Sequence, residues 1–381
     1  MSPIQSSGAA SGTAGTDGAA LETPGAHRKD YLPPLEGIRG MAVLLVVLSH
    51  MSSTGVVFDQ SVNFRGLGNF GVYLFFVLSA FLLTRQFLER PPEPATAGGY
   101  WGAYAMRRIL RIYPLYTIVL LSAAVAPLIS FAVAGPRPPS ILRHLLLLDG
   151  QKIFWTIPVE MKFYMLLPAL LIATHVIAHS RPLASVVFLT LFLFFASWAV
   201  PPQAVPRLSI DLPDYLAVFL FGMIAAALWQ WIARHSVPEP VRWVCDVLGV
   251  FFLLAVVAPQ FLGAPFGPSH ALFTNWLGST VSWYGAAWSL FLLSVLAGRY
   301  LAEVFKLRVI RIIGLASFSA YLWHMPIIIY LKQVLPPAPW AAVVILAAVV
   351  GISIISYRAL ELPGIELSAR WSRRRLEATA S

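Results

Sequence analysis

The sequence predicts an all-α polytopic membrane protein, a bundle of about ten transmembrane helices with both termini cytoplasmic. Three observations carry that expectation. Hydrophobic residues make up 58% of the 381 and charged residues 12%, with a mean hydropathy of +0.74, whereas a soluble domain is roughly half apolar and about a quarter charged. The apolar residues fall in repeated runs of about 18 to 25, the length of a helix that crosses a bilayer. Lys and Arg gather in alternate loops between those runs, as the preference for basic cytoplasmic loops requires.

Taken in order, residues 1–30 are rich in Gly, Ala, Ser and Thr and lack a charged start followed by an apolar stretch. They read as a disordered cytoplasmic tail and not as a cleaved signal peptide. Ten apolar windows follow at about 36–57, 69–88, 104–134, 159–179, 184–202, 212–233, 243–261, 277–298, 309–331 and 338–360. A transmembrane domain is therefore expected over 31–364 and a basic cytoplasmic C-terminal tail over 365–381. With the N-terminus inside, twenty basic residues fall in cytoplasmic segments and six in external ones, leaving aside Lys162 within a span. That ratio favours an even number of spans. The external loops at 203–211 and 262–276 are short and rich in Pro or Gly, so the chemistry is expected inside the bundle. The net charge of +10 does not indicate nucleic acid, because the basic residues form no continuous stripe. The single cysteine, Cys245, excludes an internal disulfide framework and a cysteine-rich metal site.

An ionisable side chain within a span costs roughly 2.5–3.5 kcal/mol even on the lenient insertion scale, so each is a functional candidate. Arg39 stands at the start of the first window and His50 eleven residues later. Eleven residues rise about 16 Å and make close to three turns, which puts the two side chains on one face, half a bilayer apart. One reading makes His50 a general base, since imidazole titrates near neutrality; the other makes it a helix–helix hydrogen bond, with Arg39 a topology anchor. Arg108 and Arg111 share a face at the start of the third window. Guanidinium forks suit phosphate oxygens, so the pair either holds a phosphorylated ligand or contacts lipid phosphate. Glu160 follows the aromatic, Pro-containing string IFWTIP. It is expected either to accept from the His50 imidazole and fix its tautomer, or to interact with Lys162 at the interface. His324, two residues before Pro326, reads as a satisfied structural histidine. His27, His144, His175, His179, His235 and His270 are expected to be solvated.

Six strings, in order and spacing, resemble the bacterial acyltransferase-3 family of integral membrane O-acyltransferases. LEGIRGMAVLLVVLSH is similar to its first-span motif, an Arg followed by ten residues and a His. GVYLFFVLSAFLLT resembles the second-span signature, RRILRIYPLY the Arg-x-x-Arg segment, and FWTIPVEMKFYMLLP the block around a Glu. ASFSAYLWHMP and YRALELP resemble the late and closing motifs, so the likeness runs from about 33 to 363. The departures are Glu36 for a usual Asp, Tyr73 where Asp is common, Ala80 for Gly, and Met161–Lys162 for Glu–Gln.

The resemblance implies a multi-pass enzyme of the bacterial cytoplasmic (inner) membrane. It would move an acyl group, usually acetyl, from cytosolic acyl-CoA to a hydroxyl of a carbohydrate or lipid-linked glycan across the membrane. Carried onto this sequence, it implies His50 as catalytic base with Arg39 and Glu160, Arg108 and Arg111 as the acyl-CoA-binding pair, and no metal. The expected mechanism has His50 deprotonate the acceptor hydroxyl as it attacks the thioester, with Glu160 orienting the imidazole; an acyl-histidine intermediate is the open alternative. The rival reading is a secondary transporter or flippase, against which stands the lack of similarity between the two halves of the chain.

Overall fold

The computed structural model describes residues 31–93, 97–127, 129, 140–179, 181–199, 208–262 and 280–380. The expected tail at 1–30, most of the 203–211 loop and nearly all of 262–276 lie outside them. Among the described residues the chain is helical, with no strand.

The first helix, α1 (Pro34–Ser53), begins with a proline at its first position and Glu36 in its first turn. Both suit a helix start, where a missing N–H is no loss and negative charge meets the positive end of the dipole. Helix α2 (Leu67–Glu89) returns antiparallel to it: Gly71 lies on the Ala42 carbonyl and Gly68 beside Ser49 and the His50 ring. Helix α3 (Ala97–Val125) carries Arg108 and Arg111 and contains Pro114. After a short α4 (Ile141–Leu145), a 3-10 turn at Lys152–Trp155 leads into α5 (Thr156–Ala178). Next come α6 (Pro182–Ala199), α7 (Leu216–Ile232), α8 (Glu239–Val257) and the short α9 (Pro259–Leu262). Helix α10 (Thr280–Ala297) is followed by α11 (Tyr300–Lys306), α12 (Arg308–Leu315), α13 (Ser317–Val334) and α14 (Pro339–Ser356). A π-turn at Tyr357–Glu361 opens α15 (Leu362–Ala380).

Among the described residues six helices are long and apolar enough to cross a membrane, or eight if two bent pairs each count as one span. Helices α6 and α7 overlap the fifth and sixth apolar windows, but their apolar stretches, Pro182–Ala196 and Leu216–Ile232, are shorter than a full span. The ninth window is not one helix: α12 and α13 meet at 78°, and α10 and α11 at 95°. Hydropathy measures apolar content and not direction, so RVIRIIGLASFSAY reads as continuous although the chain turns at Ala316. The segment after 364 is helical, and it packs along α3, with Arg107 donating to Ser372 Oγ at 3.3 Å.

Lipid gives helices no hydrophobic reason to associate, so close packing and small residues hold them together. Phe163 stacks on Phe219 with ring centres 4.0 Å apart, and Phe76 on Phe219 at 4.6 Å, joining α5, α2 and α7. Large side chains face outward on α8, where Val247, Phe251 and Leu254 are exposed as expected of a lipid-facing helix. Helix α1 approaches both α11 and α12 closely. A Cβ on Gly37 would strike the Phe305 carbonyl, and one on Gly314 the Glu36 carbonyl. Gly314→Ala is therefore expected to destabilise the detergent-solubilised protein by about 1–3 kcal/mol. The thermal unfolding midpoint checks this against Gly351→Ala, where the added methyl meets open space.

Candidate active site

The face of α1 predicted to carry both Arg39 and His50 is turned toward α13. Arg39 donates to Ser317 Oγ at 2.9 Å, at the first residue of α13, and His50 lies against His324 further along the same helix. The two helices thus run parallel. Around Arg39 the structure gathers a charged cluster. Glu36 pairs with Arg311 at 3.0 Å, and Arg111, Glu361 and Glu160 are within electrostatic range of the Arg39 guanidinium.

Glu361 is nearly fully buried and accepts from both the backbone N–H and the hydroxyl of Ser319, in the first turn of α13. A carboxylate there satisfies an orphan donor and complements the dipole of the helix that carries His324. Glu361→Ala leaves that donor bare and is expected to cost about 1–3 kcal/mol; Glu361→Gln, which still accepts, should cost less. Thermal unfolding of the two variants checks this.

Glu160 accepts a hydrogen bond from Ser79 Oγ at 2.6 Å and another from the Tyr164 hydroxyl, one turn along α5. The Arg108 guanidinium lies over the Tyr164 ring, 5.6 Å from its centre, and the Tyr104 hydroxyl donates to the Tyr164 carbonyl at 2.9 Å. The Arg108 Nε is buried without a hydrogen-bond partner, and Arg111 makes no hydrogen bond among the described residues. Two guanidiniums thus keep unspent donors, and Arg111 is within electrostatic range of Arg39; guanidinium forks of this kind suit the oxygens of an anion.

The expected bond between Glu160 and His50 is not made. Ser79, which holds Glu160, is eleven residues along α2 from Gly68, whose Cβ direction meets the His50 ring at 3.5 Å. Glu160 therefore lies about 16 Å below His50 along the helix axes, level with Arg39. Glu160 does not pair with Lys162 either, whose ammonium donates to the Ile210 carbonyl at 2.7 Å. The His50 tautomer is fixed by its own helix: Nδ1 lies 2.9 Å from the Val46 carbonyl. A carbonyl only accepts, so Nδ1 carries the proton and Nε2 keeps its lone pair.

His324 is not the satisfied histidine that the sequence suggested. It is fully buried, its Nδ1 is bonded to the Tyr321 carbonyl at 2.7 Å and the Ala320 carbonyl at 3.2 Å, and its Nε2 has no partner. Its ring centre is 4.9 Å from that of His50. The expectation of a solvated His144 also fails. It is fully buried between its Ser140 carbonyl contact of 2.9 Å and Asp149 at 3.9 Å, because the 140–156 segment folds back onto the bundle through Tyr116 and Phe154. His179 and His235 are exposed and His175 half-buried, while His27 and His270 lie outside the described residues. Sequence reading also missed Tyr164, although it stands four residues from Glu160 and so on the same face. Among the described residues no cluster of three or more metal-ligating side chains occurs.

Residues 33–358 match the acyltransferase domain of the acyltransferase-3 family, and the chain belongs to that family. It is 24% identical over 371 residues to the peptidoglycan O-acetyltransferase OatA of Listeria monocytogenes, covering 88% of this chain and 56% of that one. It is 22% identical over 368 residues to the O-acetyltransferase OatA of Staphylococcus aureus, covering 87% and 57%. A putative O-acetyltransferase of Staphylococcus aureus matches at 22% over 333 residues, covering 80% and 52%. The chain thus spans about half the length of these curated relatives. No solved structure matches it.

Proposed function

We propose that this protein is a multi-pass enzyme of the bacterial inner membrane that transfers an acetyl group from acetyl-CoA to a hydroxyl of a cell-surface glycan. The observation that carries this reading is one shared axis. Arg39, Arg108 and Arg111 lie at one level, with donors unspent on Arg108 and Arg111, and His50 stands about 16 Å further on with a free Nε2. The guanidiniums receive the phosphates of CoA at the cytoplasmic end, where both termini lie in this reading, and the pantetheine arm runs inward toward His50. Ser79, Glu160 and Tyr164 form a bonded wall that holds the Tyr164 ring against Arg108 and aims its fork.

At the upper end, His50 Nε2 removes the proton of the acceptor hydroxyl as its oxygen adds to the thioester carbonyl. The tetrahedral adduct collapses, the carbon–sulfur bond breaks, and the proton passes from His50 to the departing thiolate. Ester and free CoA result, and no metal takes part. The relatives named as peptidoglycan and other O-acetyltransferases favour a glycan acceptor on its way to the cell envelope, presented to His50 from the far side.

Purified protein in lipid vesicles tests the reading with acetyl-CoA and soluble peptidoglycan fragments or O-polysaccharide. Thiol release accompanied by alkali-labile acetyl on the saccharide is the expected result. Absence of acetyl-CoA consumption with all acceptors, together with uptake of a solute into the vesicles, would restore the transporter reading.

A further inference from the structure

We propose that His324 is a proton-holding partner of His50, so that the acceptor proton is carried by a histidine pair and not by one imidazole; this rests on the acyl-transfer reading above. The pair has a specific construction. Each ring donates its Nδ1–H to a carbonyl of the preceding turn of its own helix, Val46 on α1 and Tyr321 and Ala320 on α13. Both rings are thereby locked as the same tautomer, each with an Nε2 lone pair. His324 Nε2 is fully buried and has no partner, a state that costs free energy in the resting protein and calls for an explanation. The ring packed against that of His324 is His50, with centres 4.9 Å apart and planes inclined at 58°.

The surroundings isolate the pair. His50 is the ionisable group within electrostatic range of His324. Tyr321, whose ring centre is 5.9 Å away on the same helix, spends its hydroxyl on the Ile153 carbonyl at 2.6 Å. Among the described residues the carboxylates nearest this stretch of α13 are held by other groups: Glu361 by Ser319 near the helix start, and Glu160, within electrostatic range of Tyr321, by Ser79 and Tyr164. Among the described residues, the neighbouring ring offers a charged imidazolium formed at His50 an acceptor, the bare Nε2 of His324. The sequence of events balances. The acceptor O–H breaks, its proton goes to His50 Nε2 and is shared with His324 Nε2, the O–C bond forms and the C–S bond breaks, and the proton returns through His50 to the thiolate. Both histidines end neutral, as they began. His324 touches neither substrate and acts through His50 alone.

The test measures acetyl-CoA thiol release with the same saccharide acceptors for the wild type, His324→Gln and His324→Phe, in water and in water–deuterium oxide mixtures. Glutamine keeps a polar group of similar size, which separates lost chemistry from lost folding; elution volume and thermal unfolding check the fold. Both variants are expected to lose at least about tenfold in kcat with an unchanged KM for acetyl-CoA. The plot of rate against deuterium fraction should be bowed in the wild type, where two protonic sites move, and straight in His324→Gln. A His324→Gln protein with wild-type kcat, or the same bowed plot in both proteins, would overturn the pairing and leave the acyl-transfer reading standing. No turnover even in the wild type would overturn both.

Discussion

His50→Ala is expected to lower acetyl transfer by about 10²–10⁴-fold, the range over which a positioned general base contributes. Three features make the expectation sharp. The imidazole is the base nearest the end of the axis that starts at the arginine cluster, its tautomer is fixed by the Val46 carbonyl, and its Nε2 is left free to take a proton. Its one hydrogen bond is local to α1, so truncation removes no polar tie between helices and the fold should survive. His50→Gln separates the roles further: an amide can form a hydrogen bond but cannot take the proton, so it should fail as badly as alanine. Thiol release from acetyl-CoA, normalised to folded protein, gives the ratio. A residual rate above about a tenth of wild type in either variant would remove His50 as the base.

The double substitution Arg108→Ala, Arg111→Ala should act on binding. A hydrogen bond to a charged group contributes about 1.5–3 kcal/mol, a factor of roughly 10–100 for each guanidinium. The KM for acetyl-CoA is therefore expected to rise by about 100-fold or more while kcat falls much less. Arg108→Lys and Arg111→Lys keep the charge and lose the fork, so they should fall between the two. Raising ionic strength should mimic part of the loss in the wild type and little in the double variant. Equal loss in kcat with unchanged KM would place these arginines at the reacting carbonyl instead of the phosphates.

The parts of this account legible in the sequence are those written along single helices. The spacing of Arg39 and His50 fixes their shared face, the Arg108–Arg111 interval fixes another, and the apolar windows mark helical segments, though ten windows correspond to six to eight candidate spans among the described residues. Relations between helices were not legible. The register of one helix on another is set by packing such as Gly71 on the Ala42 carbonyl, and no periodicity reports it. Glu160 was expected beside His50 because its window begins at the external end; in the fold the 152–156 segment enters deep, with Tyr321 bonded to the Ile153 carbonyl, and Glu160 arrives at the level of Arg39. The same limit hid His324. Alone, it is a histidine near a proline in an apolar run, and only the parallel docking of α13 on α1 makes it the neighbour of His50. The break at Ala316 leaves no mark in the sequence pattern, because α12 and α13 both carry apolar residues up to the corner and no Pro or Gly stands at Ala316 itself.

The most direct test of the central claim is the O-acetyl content of cell-surface glycans, by proton NMR of purified polysaccharide and peptidoglycan. The cells compared would carry no copy of the gene, the wild type, or His50→Ala at matched abundance. Acetyl esters present with the wild type and absent from the other two are the predicted result, and the acetylated sugar identifies the acceptor. Esters restored in full by His50→Ala would contradict the account.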